Sequence, residues 1–180
     1  MNRTSFGENM SFWDDLYKKI ISRAKDRREN DKIISTTPRK DVPDPGYRPL
    51  AMLCYAYSIT SEEFYVGYSG TAGGMKDPSC FSADKYQKDR RIDRFHSVVG
   101  SSLVGETPKF DRTFYNCAEA CALTIALSYD EKINDLVFIS INKEGVPVPP
   151  CRNCQIWLER AGCHAYWGWT GKRWDWFFPK

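Results

Sequence analysis

The chain has 180 residues, of which 42% are hydrophobic and 27% charged, with a formal net charge of +3 and a mean hydropathy of -0.54. That is the size and balance of one globular domain with a short appendage. It argues against a disordered chain, and no run of about 18 apolar residues is available to span a membrane. Met1 to Ser11 lacks the apolar region of a secretory signal, and the mild positive charge permits a polyanionic partner without arguing for one.

In chain order, Phe12, Trp13, Leu16, Tyr17, Ile20 and Ile21 recur at spacings of three and four, which predicts an amphipathic helix from Ser11 to Arg28 with Ser11 as N-cap. Lys18, Lys19, Arg23, Lys25, Arg27 and Arg28 crowd the same stretch, so a nucleic-acid arm is the alternative to a docked helix; Asp26, Glu29 and Asp31 dilute that case. Pro38, Pro43, Pro45, Gly46 and Pro49 interrupt regular structure. They divide an N-terminal helical extension and linker, residues 1–46, from a main domain, residues 47–180.

Leu50 to Ile59 and Glu63 to Tyr68 predict a strand hairpin. A long connection follows, with a short helix expected around Ala83 to Phe95 and a loop around Gly100 to Pro108. Cys117 to Leu127 is apolar apart from Glu119 and Thr124, which predicts a buried central helix with Asn116 as its N-cap. Leu136 to Ile141 reads as a buried strand, and Cys151 to Ala161 as a helix with Pro150 at its start and Gly162 at its end. His164 to Thr170 and Arg173 to Phe178 are aromatic strands separated only by Gly171 and Lys172. Two residues can join antiparallel neighbours but not a parallel pair. The order predicts an α/β fold: a layered domain with one mixed five-stranded sheet, helices on its faces and an antiparallel hairpin at its end.

Seven cysteines, an odd number, exclude complete pairing within the chain. Cys117, Cys151 and Cys154 fall at predicted helix starts, where anions are favoured and thiol pKa values fall. Three thiolates with an open fourth position are what a catalytic zinc needs, whereas structural zinc is closed by four protein ligands. Glu119 is the single carboxylate of an otherwise apolar helix, two positions after one such cysteine. It could exchange a proton with a zinc-activated water, or merely close a capping box with Asn116. Cys121 could close the site as a fourth ligand, which would make a zinc-stabilised binding module instead of an enzyme.

Asn116-Cys117-Ala118-Glu119 with Pro149-Pro150-Cys151-Arg152-Asn153-Cys154 resembles the signature of the zinc-dependent cytidine deaminase superfamily, and within it most closely the deaminase domains of bacterial polymorphic toxins. The resemblance implies the cytidine-deaminase-like fold, Zn²⁺ held by Cys117, Cys151 and Cys154, and Glu119 as proton shuttle in the conversion of cytosine to uracil. It also implies action in the cytoplasm of a target cell and an immunity protein as partner. The predicted C-terminal hairpin departs from the branch of tRNA adenosine and antibody-diversifying deaminases, in which a helix separates the last two strands. The nucleoside deaminases share the hairpin but carry an Asn-x-Glu ribose motif before the catalytic helix, and none lies between Gly70 and Tyr115. The expected substrate is therefore nucleic acid, single-stranded DNA ahead of duplex DNA or RNA, with a free nucleoside as the alternative. Tyr115, Asn116 and His96 are candidate substrate contacts, and Arg152 is a candidate positive charge to offset three thiolates.

Overall fold

The structure, a computed structural model, describes residues 6–36, 52–69, 90–104, 115, 117–142 and 144–179. It divides into two units, Met1–Pro49 and Leu50–Lys180, so the main domain begins close to the proline-marked boundary. The first unit holds helix α1, Phe6–Thr36. This is longer than the predicted segment, because no proline interrupts the chain before Pro38. Ser11 lies inside the helix instead of capping it, and its hydroxyl donates to Asp15 one turn on, at 3.4 Å. Leu16, Ile20 and Ala24 are the buried stripe, while Phe12 is exposed.

The second unit is built on a mixed sheet. Strands β1 (Met52–Ser58) and β2 (Phe64–Tyr68) form the expected antiparallel hairpin. Helix α2 (Arg90–Val99) continues into a 3-10 turn, Gly100–Leu103. It overlaps the expected helix over residues 90–95 and runs on to Val99, with Ile92, Phe95 and Val99 as its buried stripe. Residues 83–89 and 105–108 of the predicted helix and loop lie outside the described residues.

Helix α3 spans Ala118–Leu127, strand β3 Leu136–Asn142, helix α4 Arg152–Arg160, and strands β5 and β6 Ala165–Trp169 and Trp174–Phe177. A two-residue strand, β4 (Pro147–Val148), pairs antiparallel with Ser140 and Ile141 of β3 and brings the strand total to six instead of five. The main order is β2-β1-β3-β5-β6. β3 and β5 run parallel across the α4 crossover, and β5 and β6 close as the expected antiparallel hairpin. Gly171, at φ 90°, takes the left-handed position of its turn.

Strand alternation sends Cys54, Ala56, Tyr65, Leu136, Phe138 and Tyr166 into one core with residues of α2, α3 and α4. Trp157 of α4 is its centre, edge-on to Phe95 at 5.4 Å and to Phe138 at 5.9 Å. α3 is buried on nearly every side, as its composition predicts. Its alanines allow a close approach to the sheet, and Gly67 of β2 completes the fit: a Cβ there would fall on the Ala118 carbonyl and the Ala122 backbone. This packing fixes where α3 begins, and with it the position of Cys117 and Glu119.

Candidate metal centre

Two helix N-termini and one strand end converge at the site. Cys117 is the N-cap of α3 and Cys151 the N-cap of α4, both in extended backbone conformation. Asn116, expected to cap α3, lies outside the described residues, and the helix takes Cys117 as its cap instead. Cys154 follows one turn into α4 and is fully buried. The sulfurs of Cys117, Cys151 and Cys154 all lie within 4.8 Å of one another, with 3.5 Å between Cys117 Sγ and Cys151 Sγ. A tetrahedral zinc with Zn–S bonds of about 2.3 Å needs sulfurs about 3.8 Å apart, so the three residues fit that ion in both chemistry and spacing. Among the described residues no fourth ligand joins them. Cys121 is buried one turn along α3 and takes a 3.9 Å contact from the Arg91 guanidinium. Cys151 is exposed, so the cluster opens toward solvent on its side.

Glu119 is 4% exposed. It does not close a capping box: with Cys117 at the N-cap, it stands at the second helical position and turns inward. Ser140 Oγ donates to its Oε1 at 2.6 Å, and Cys154 Sγ donates to its Oε2 at 3.3 Å. Burial pushes its pKa up, the Ser140 hydrogen bond opposes that, and the Cys151 charge raises it again; the net direction is upward. The carboxyl therefore has a higher proton affinity than an ordinary glutamate and touches one of the three sulfurs directly.

The three thiols are shifted in different directions. Cys151 is lowered, because the neighbouring Cys117 and Cys154 side chains favour its charged form and the backbone N–H groups of Cys154 and Asn153 add to the effect. Cys117 is raised, chiefly by its hydrogen bond with Cys151, and Cys154 is raised chiefly by burial.

Ser140 is the site residue that the sequence reading missed. Its signal was present: Leu136, Phe138 and Ser140 alternate on the helix-facing side of β3, so a hydroxyl interrupts an apolar row. Cys54, in the adjacent register position of β1, sits beneath it. Of the other expected contacts, Tyr115 and His96 hydrogen-bond to each other through the phenol and Nε2. Tyr115 also packs edge-on against Phe95 at 5.7 Å. This ties the segment entering Cys117 to α2. Arg152 stands exposed on the first turn of α4, next to Cys151 in the chain.

No family model, no curated protein and no solved structure matches this chain. No helix among the described residues is long and apolar enough to cross a membrane.

Proposed function

We propose that this protein is a zinc-dependent deaminase of the cytidine deaminase type, converting cytosine to uracil in nucleic acid, with single-stranded DNA as the first substrate. The observation that carries this reading is Glu119, a buried carboxyl with raised proton affinity held against one of three convergent cysteine sulfurs. Closed structural zinc sites have no use for such a group, and a buried carboxyl without a task is costly.

Cys117, Cys151 and Cys154 would hold the zinc, which when bound supplies Lewis acidity that makes a water nucleophilic near neutral pH. Glu119 takes a proton from the attacking water, delivers it to the ring nitrogen next to C4, and passes a proton to the departing amine, so that ammonia leaves and uracil remains. Ser140 holds one carboxyl oxygen so that the other faces the cluster. Tyr115, which His96 holds on the segment entering α3, is the contact proposed for the pyrimidine.

The polymorphic-toxin resemblance supports the finer reading: a deaminase fold, action in a target cell's cytoplasm and an immunity protein that blocks the site. That no Asn-x-Glu motif lies between Gly70 and Tyr115 supports a polymer over a free nucleoside. Incubating the zinc-loaded protein with single-stranded DNA, duplex DNA, RNA and free cytidine, then quantifying uracil by chromatography, tests this directly. Uracil should form fastest in single-stranded DNA. Turnover of free cytidine alone would make the protein a nucleoside deaminase, and no uracil in any substrate would leave a metal-binding module.

A further inference from the structure

Three small residues form a row across the sheet beneath the start of α3. Gly67 of β2 stands opposite Cys54 of β1, and Cys54 stands opposite Ser140 of β3. Directly opposed residues of antiparallel strands share a face, with Cβ atoms about 4.5–5.5 Å apart. Gly67 brings no side chain and lies against the Ala118 carbonyl and the Ala122 backbone. Along this row the polar group that Cys54 meets is therefore the Ser140 hydroxyl. Both residues are fully buried, and Cys54 belongs to the core shared with α3.

A hydroxyl has one proton to give and two lone pairs to receive with. The Ser140 proton goes to Glu119 Oε1 at 2.6 Å, which leaves only lone pairs for Cys54. Burial raises the Cys54 pKa well above the ordinary thiol value and the nearby Glu119 charge adds to the rise, while the Ser140 contact opposes both to a smaller extent. A thiol kept neutral is a donor. The contacts then run in one consistent direction, from Cys54 S–H to Ser140 Oγ and from Ser140 O–H to Glu119.

We infer that Cys54 is a positioning residue for Glu119: its thiol donates to Ser140 Oγ and so commits the single hydroxyl proton to the carboxyl that serves the metal centre. This rests on the deaminase reading and adds a residue to it, one that acts through Ser140 and stands apart from the three convergent cysteines. Without the thiol the hydroxyl is free to rotate, and Oε1 loses its partner for part of the time. Serine in place of Cys54 keeps a donor and alanine does not. Both are smaller than cysteine by a similar amount, so a packing role treats them alike and a hydrogen-bonding role separates them.

Two measurements on the full chain test it. The infrared S–H stretch reads the hydrogen bond and needs no turnover. The band that disappears in Cys54→Ser belongs to Cys54, and in Ser140→Ala that band should move to higher wavenumber as its acceptor is lost. A band that stays in place would overturn the proposal. Kinetics of the zinc-loaded protein on single-stranded DNA read the consequence. Cys54→Ala should lower kcat by about 3- to 10-fold, the range of one ordinary hydrogen bond, with KM and zinc content unchanged. Cys54→Ser should stay within about two-fold of the wild type. Adding Cys54→Ala to Ser140→Ala should cost nothing further, because residues of one hydrogen-bond network do not act additively. Equal losses in Cys54→Ala and Cys54→Ser, or losses that add in the double variant, would reduce Cys54 to a packing residue and overturn the proposal. The two readings fail separately. A band that moves as expected in a protein that forms no uracil would sink the deaminase reading and support the hydrogen-bond chain, and an unmoved band in a protein that forms uracil would sink the chain alone.

Discussion

Glu119 has two polar neighbours in an otherwise apolar setting, and they do different work. Cys154 links it to the cluster, while Ser140 fixes its outer oxygen and restrains the rise in proton affinity that burial imposes. A hydrogen bond to a charged group is worth about 1.5–3 kcal/mol. Ser140→Ala should therefore lower kcat by about 10- to 100-fold while zinc content stays at that of the wild type. Unchanged turnover would remove Ser140 from the mechanism. The cysteines make a second prediction at this scale. Cys117 and Cys154 have raised pKa values, whereas that of Cys151 is lowered. Zinc takes thiolates, so binding should release protons at neutral pH and weaken as pH falls. Calorimetry in buffers of different ionisation enthalpy would detect that release, and an affinity independent of pH would mean that the sulfurs carry no protons before binding.

At the scale of elements, the site depends on how closely α3 lies on the sheet. Gly67→Ala puts a methyl into the α3 backbone, and the only relief is to lift the helix. The expected cost is about 3 kcal/mol in urea unfolding. The loop after α3 is held differently: Glu131 accepts from Ser58 at 2.6 Å, Ser61 at 2.5 Å and Tyr65 at 2.7 Å, joining that loop to the β1–β2 hairpin. Burial tends to raise its pKa, but the three hydroxyls outweigh this and lower it. The unfolded chain then binds the proton more readily, so this contribution is complete above the ordinary glutamate pKa of about 4.3 and is lost as pH falls below it. Glu131→Gln should flatten that acid limb of the stability profile; an unchanged limb would place the titration elsewhere. Most elements were legible in sequence because their periodicity is strong. Those that were not have local causes. β4 is only two residues and borrows its partners from β3. Asn116 is the better capper by side chain, yet the helix begins after Cys117, where packing of Ala118 and Ala122 on Gly67 sets the register.

For the molecule as a whole, every candidate metal ligand and Glu119 lie in the second unit. The three cysteines and the carboxylate were legible because their spacing carries the chemistry. Ser140 was not, because its role exists only once β3 is set beside α3, and the opposed shifts of the thiols were not, because they depend on distances between sulfurs. Since the ligands bridge α3 and α4, zinc should also stabilise the fold. At about 100 times its dissociation constant the gain is about 2.7 kcal/mol, or about 5–10 °C in Tm for a chain of this length. A melting temperature indifferent to zinc and chelator would mean that the cysteines bind no ion. The central claim is that Glu119 moves protons at a zinc site without being a ligand, and Glu119→Gln tests it most directly because it keeps the shape and the Ser140 contact. Zinc content and uracil formation in single-stranded DNA should be measured on the same preparation. One zinc per chain with deamination reduced by about 10²- to 10⁴-fold is the predicted result; deamination within a few-fold of wild type would contradict it.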